Sequence, residues 1–486
     1  MIKKIGEKYN SIPKSARASV WFLFANIFQK AVMVIFTPLF TRIMTTEEFS
    51  KYAVFQSWET ILTVFATLNI SNYATAKALV EYKDDQDSFI TSSQFLTILL
   101  SFFTFGIFIS IKSGIGELQS FPLWIFVLMF IDIISMAMFS FWSQQERFNQ
   151  RYKLLTGASI LIGISSPLIA FLLIITSKTT GLYKGWARIW GVVIANGIIA
   201  IAILIISLKR SKKIVSKKYW KYDMTYCIPL IPHFLAMAFL QKIGQLFVDH
   251  YCGAEMSGIY ALANSLAMLM MVVNDAFTKT LVPWTYQKMA DEKYDDINKP
   301  VLLCLVIIAI ADIAMALAAP ELVAIFADKS YADAMYAVPP LVGVCFFGFL
   351  YNTFSNIEYY YKETKLVSMA SMVAGGIIVL ANFILVPQFG YIAAAYSALI
   401  SYVVYSIMHY LFMQKTLKKH LQGREIYKNF WILKLSIIFV LIIVCIPLLY
   451  KFNYIRYGLI LVVLAVIFVK RKFIIEKLMG IFKKEE

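Results

Sequence analysis

Long apolar runs recur along the whole chain, separated by short segments rich in lysine and arginine. A run of about 18 or more apolar residues is long enough, as a helix, to cross the hydrocarbon core of a bilayer. Within that core every backbone polar group needs an internal partner, so only helices and closed barrels can span it. Barrel strands alternate in polarity over about ten residues, and these runs are continuously apolar. The chain is therefore expected to be an all-α polytopic membrane protein. Its composition agrees, with 60% apolar and 15% charged residues, against about 45–50% and 25% in soluble domains. About fourteen runs can be drawn, near 18–41, 52–73, 90–111, 121–142, 154–176, 186–208, 225–248, 258–282, 301–320, 335–356, 366–386, 391–413, 430–449 and 454–469. The short connections leave no room for a soluble catalytic domain.

A net charge of +17 could suggest a nucleic-acid partner, but the charges are placed otherwise. Of the 46 Lys and Arg residues, 33 fall in alternate connections and tails on one side and 9 on the other. Counting residues at run ends with the neighbouring connections, only Lys30, Lys242, Lys279 and Lys434 lie inside runs. This is the asymmetry of the positive-inside rule, and an even number of spans places both termini in the cytosol. The first run is too long for a cleavable signal peptide and lacks a small-residue cleavage site, so it is expected to stay as a span. Lys209–Lys221, the richest inner segment, reads as the join between two halves and as a determinant of topology that touches anionic headgroups.

Metal and redox chemistry find little support. Cys227, Cys252, Cys304, Cys345 and Cys445 are far apart and contain no Cys-x-x-Cys pair. Four histidines without His-Glu-x-x-His spacing suggest no metal site, and His233 and His409 read as helix-packing residues. No phosphate-binding glycine loop occurs, so ATP hydrolysis is not expected. Asn69-Ile70-Ser71 matches a glycosylation pattern at the inner end of a span, where it carries no meaning.

Two local echoes suggest an internal duplication. Glu48-Phe49-Ser50-Lys51-Tyr52-Ala53 returns as Glu255-Met256-Ser257-Gly258-Ile259-Tyr260-Ala261, 207 positions on. Gly181-Leu182-Tyr183 and its following residues return at Gly390-Tyr391-Ile392, 209 positions on. Six spans separate the copies, so the halves have the same orientation, with a substrate path expected at their interface. The expected organisation is a tail over 1–17, a six-helix bundle over 18–208, a basic linker over 209–224 and a second six-helix bundle over 225–413. A loop over 414–429, two further spans over 430–469 and a basic tail over 470–486 follow.

Helical spacing sorts the intramembrane polar groups into faces. Span 1 aligns Asn26, Lys30, Thr37 and Thr41; span 2 aligns Gln56, Thr60, Thr63 and Thr67, with Glu59 at the edge. Span 7 stacks Lys242, Gln245 and Asp249, and span 8 stacks Asn264, Asp275 and Lys279. These are the first two spans of each proposed repeat. Span 3 carries an uncharged stripe of Thr97, Ser101 and Thr104, and the last two spans suit a lipid-facing position. A charge at mid-bilayer costs at least about 2.5–3.5 kcal/mol on insertion scales, so it faces a partner or water. Lys30 either lines a cleft or pairs with Glu59; Lys242 either lines a cleft or pairs with Asp249. Asp275 and Lys279 either pair with each other or join the same cleft. Arg42 sits at the outer end of span 1, where it fits an interfacial anchor, and Lys434 fits a snorkelling lysine. Asp132, Asp312 and Glu358 have no evident partner. Threonine and serine stripes also serve as plain interhelical hydrogen-bonding groups, and Pro38 and Pro167 are expected to kink their helices.

The segment Thr37-Pro38-Leu39-Phe40-Thr41-Arg42-Ile43-Met44-Thr45-Thr46-Glu47-Glu48-Phe49 resembles the end of the first helix in prokaryotic polysaccharide flippases, the Wzx type of the multidrug/oligosaccharidyl-lipid/polysaccharide (MOP) exporter superfamily. Ile228-Pro229-Leu230-Ile231-Pro232-His233, Ser257-Gly258-Ile259-Tyr260-Ala261, Val282-Pro283-Trp284 and Val386-Pro387-Gln388-Phe389-Gly390-Tyr391 add to it, over about residues 15–415. The resemblance implies a MATE/MOP-like fold of twelve core helices in two bundles, with helices 1, 2, 7 and 8 lining a central cleft. It implies a protein of the bacterial cytoplasmic membrane that moves undecaprenyl-pyrophosphate-linked oligosaccharide repeat units outward for O-antigen, capsule or exopolysaccharide synthesis. Membrane lipids, a polysaccharide polymerase and chain-length machinery would be its partners; nucleic acid would not. Lys30, Lys242, Lys279 and Arg42 are the candidate cations for the pyrophosphate, with Asn26, Thr37, Gln56, Glu59, Thr60, Thr63, Gln245, Asp249, Asn264 and Asp275 as polar lining. Aromatics such as Trp58 could stack on sugar rings. No cofactor or metal is expected, while coupling to H⁺ or Na⁺ stays open.

Three other readings stay in view. A lipid II flippase shares the fold. A cation-coupled drug exporter would carry acids in its first span, where this chain has Lys30. A membrane glycosyltransferase or polymerase would need paired carboxylates such as Glu47 and Glu48, but these fit a helix start.

Overall fold

The computed structural model describes residues 14–111 and 121–482, and every regular element among them is helical. The expected tail up to residue 13, the outer connection 112–120 and the last residues 483–486 lie outside the described residues. The main helices are α1 (Lys14–Ile43), α2 (Thr46–Thr67), α3 (Gln86–Ile111), α4 (Leu123–Phe148), α5 (Tyr152–Ile175), α6 (Lys184–Arg210) and α7 (Lys217–Cys227). They are followed by α8 (Ile231–Ala290), α9 (Asn298–Leu317), α10 (Ala334–Tyr360), α11 (Thr364–Phe389), α12 (Tyr391–Leu421), α13 (Asn429–Cys445) and α14 (Asn453–Phe482).

Among the described residues, eleven segments are long and apolar enough to cross a membrane. Two of the differences from the expected fourteen have physical reasons visible in the helices. The α2 helix, with Thr, Glu, Gln and Ser along it, is too polar to register. Runs 225–248 and 258–282 register as one, because the helix continues through both with a single break at Gly253 (φ 82°, ψ 169°). A positive φ of that kind costs glycine nothing and strains other residues. The described part of the last run includes the apolar helix Asn453–Ala465.

The chain forms two compact units, the first ending at Ala238 and the second beginning at Phe239. In the first unit, α1 packs on α5, α5 on α6 and α6 on α4. Gln29 of α1 donates from Nε2 to the Ser159 carbonyl of α5 at 2.6 Å. The α5–α6 contact is closer still, since a Cβ on Gly191 would lie 2.3 Å from the Ala170 Cα. Only a residue without a side chain lets two backbones approach that far. Pro38 and Pro167 lie inside α1 and α5, both of which run on through them.

The start of α2 is set locally. Thr45 accepts a hydrogen bond from the Glu48 amide at 3.2 Å, and its own amide donates to Glu48 Oε2 at 2.9 Å, closing a capping box. Glu48 is thus engaged as the helix-start residue the sequence suggested. Part of the basic segment after α6 folds as α7, which buries Tyr219, Asp223 and Cys227 at four-residue intervals and leaves Lys217, Lys218 and Lys221 exposed. Ser93 of α3 donates to Asp223 Oδ2 at 2.6 Å, and Tyr219 donates to Asp85 Oδ2 at 2.5 Å.

In the second unit α10 packs against α12 and α9, and α12 against α11. The last helix is not wholly apolar in its surroundings: Arg456 of α14 is 2% exposed and pairs with Glu321 of the short helix Ala319–Phe326, while Nη1 also reaches the Leu317 carbonyl at 2.9 Å. Lys434, by contrast, is exposed, 5.5 Å from the Trp431 ring.

Candidate functional site

The two units bring different polar residues together. In the first, Lys30 and Thr37 of α1 are half-buried and Arg42 is exposed; the Asn26 side chain lies outside the described part. Gln56, Glu59, Thr60 and Thr63 of α2 are half-buried. The threonine hydroxyls are already committed as donors. Thr60 donates to the Gln56 carbonyl at 2.8 Å, Thr63 to Glu59 at 2.7 Å and Thr67 to Thr63 at 2.9 Å, while Thr37 does the same to Met33 at 2.8 Å. Such back-bonding is usual for threonine inside a helix. Gln56 donates to the Tyr52 hydroxyl at 2.9 Å.

Asp132, without an evident partner in the sequence, has a partner in the structure. It accepts from Asn196 Nδ2 at 2.8 Å, and Glu59 of α2 lies beside it. The Asn196 bond ties α4 to α6, with α2 alongside. One further cation escaped the sequence reading altogether. Arg188 of α6 is 6% exposed, and its guanidinium lies 4.6, 4.5 and 4.2 Å from the ring centroids of Phe40, Phe49 and Tyr52. The only sequence signal was an arginine flanked by Trp186 and Trp190.

At one end of the same unit, Asp87, Glu146, Arg151, Lys153 and Arg210 line an open cleft of about 680 Å³. The Glu146 side chain is buried, with Arg151 and Arg210 each 3.4 Å from the same oxygen.

In the second unit, Lys242 and Asp249 are half-buried on α8, and Gln245 is buried, donating to the Ser257 hydroxyl at 2.6 Å and carbonyl at 2.9 Å. Gln245 therefore braces the Gly253 break, a structural task that its place in a polar stripe did not reveal. Asn264 is half-buried, whereas Asp275 and Lys279 are exposed. Glu358 has a partner the sequence did not show, His409, with Oε1 2.8 Å from the ring Nδ1. Asp312 is buried with neither oxygen hydrogen-bonded. Among the described residues no group of three or more His, Cys, Asp or Glu could hold a metal ion.

The described residues, helical throughout their regular elements and holding eleven membrane-length segments, have the build of a multi-pass membrane protein. Comparison with solved structures agrees. The chain is similar to the lipid II flippase MurJ in an inward closed conformation (TM-score 0.67, 13% identity, 94% of this chain and 100% of that one). It also resembles a multidrug resistance MATE family transporter of the MOP superfamily in its inward-facing conformation (TM-score 0.61, 12% identity, 80% and 96%). Residues 15–289 match the family described as polysaccharide biosynthesis protein, and the chain belongs to that family. An uncharacterized membrane protein of Haemophilus influenzae is 21% identical over 365 residues, 73% of this chain and 86% of that protein. The Lsg locus putative protein 1 of the same organism is 24% identical over 170 residues, 34% of this chain and 42% of that protein. The fold is that of MurJ and of the MATE transporter.

Proposed function

We propose that the protein is a flippase that moves undecaprenyl-pyrophosphate-linked oligosaccharide repeat units across the bacterial cytoplasmic membrane, both termini in the cytosol, for a surface polysaccharide. The observation that carries this reading is membership of a polysaccharide biosynthesis family on a chain folded like MurJ and the MATE transporters. On this reading two bundles rock between inward and outward access, with boundaries near 18–208 and 225–413. The pyrophosphate meets Lys30, Lys242, Lys279 and Arg42, since an anion in a low-dielectric passage needs fixed cations. Threonine and glutamine side chains of α2 meet sugar hydroxyls. A polymerase and chain-length machinery receive the product.

The test is chemical. Deleting the gene should cause a lipid-linked oligosaccharide to accumulate and the surface polymer to disappear. The likeness to MurJ favours one second reading, export of a peptidoglycan precursor, and accumulated lipid II would decide for it. Sensitivity to cationic dyes with no accumulated lipid-linked sugar would point to drug export instead.

A further inference from the structure

The second unit buries a carboxyl–imidazole pair that the proposed cargo path does not use. Glu358 lies near the end of α10 and His409 on α12; Oε1 and Nδ1 are 2.8 Å apart, and both side chains are 0% exposed. The other carboxyl oxygen and the other ring nitrogen have no hydrogen-bond partner. Tyr351 and Tyr405 close over the imidazole, with ring centroids 5.6 and 4.6 Å away. Tyr359 of α10 and Tyr402 of α12 are further phenols around Tyr405. Tyr427, from the segment after α12, bonds the Thr353 carbonyl at 3.4 Å instead. Where the same two helices leave the apolar layer, Glu363 meets Lys419 at 2.6 Å and His420 at 3.3 Å.

We propose that Glu358 and His409 form a proton-binding site that works in the transport cycle. A carboxylate beside a neutral imidazole is a buried anion; one added proton, on either Oε1 or Nδ1, makes the pair neutral overall. An apolar interior favours the neutral form unless the site is opened to water. Loading forms one O–H or N–H bond and release breaks it, returning H⁺ to water. A metal ion is a poor alternative, because two protein atoms are too few for a stable coordination shell. What the proton drives rests on the flippase reading; the proton site itself does not.

The full chain in vesicles tests both parts. Between about pH 8 and pH 5, wild type should take up about one proton per chain more than Glu358→Gln or His409→Gln. A pH gradient should drive the lipid-linked oligosaccharide from the deletion strain in wild type but not in Glu358→Gln, whose amide still bonds the imidazole. Equal proton uptake in all three proteins overturns the site. Extra uptake in wild type with no movement of lipid-linked sugar under any gradient keeps the site and removes the flippase reading. Because a variant can fail to fold, wild type labelled with ¹⁵N-histidine gives a check by NMR. One of its four histidines should change protonation while bonded to a carboxyl, and four imidazoles titrating as in water overturn the site.

Discussion

Truncating Arg188 removes one cation from three aromatic faces at once. Arg188→Lys keeps the charge and loses the planar stack, so it should destabilise by about 1–2 kcal/mol, and Arg188→Ala should cost more; thermal unfolding in detergent measures both. Arg456 offers a pH-dependent counterpart. Its hydrogen bonds hold the Glu321 carboxyl below the usual range. A depressed carboxylate stabilises the fold above its unfolded pKa of about 4.3 and loses that contribution as pH falls through the folded value. Arg456→Met should therefore lower Tm near neutral pH, with the gap to wild type closing below about pH 3. Neither residue was legible as an anchor. Arg188 meets rings at positions 40, 49 and 52, and Glu321 and Arg456 lie 135 apart. Glu59, Asp132 and Asn196 are separated in the same way, and one-dimensional spacing holds no record of such meetings. Glu48, which caps its own helix three residues away, was readable for the opposite reason.

Close approach governs the helices. Gly191→Ala drives a methyl into the Ala170 backbone, so it should destabilise by about 1–3 kcal/mol. Gly106→Ala on α3 meets nothing within 4 Å and should be neutral or slightly stabilising, which makes it the control in the same Tm series. Apolar length made most spans legible, because hydropathy alone decides what a bilayer accepts. It also drew 225–248 and 258–282 as separate runs, a division made in the structure by the backbone of Gly253 and the Gln245–Ser257 bonds beside it. It did not show that the last run holds a buried arginine, Arg456.

At the scale of the whole molecule, function and orientation are testable apart. Replacing Lys30 and Lys242 together with alanine should abolish surface polysaccharide while the protein stays in the membrane; unchanged polymer would remove these lysines from the path. Reporter fusions at the termini and at Lys213 should all report the cytosol, and a fusion near Lys178 the opposite side, as the distribution of basic residues requires. The fold class was legible from composition and periodicity, and the family from short motifs. The cation set remains a proposal, since its members stand on separate elements whose mutual placement no stripe encodes.

The threonines of α2 carry one more consequence. With their hydroxyl hydrogens spent on the preceding turn, half-buried Thr60 and Thr63 have only lone pairs left to offer. At those two hydroxyls a partner bearing O–H would find an acceptor and a bare oxyanion would not. A cargo with a sugar end and a phosphate end would be sorted by this asymmetry, its two ends drawn to different walls before any bundle moves.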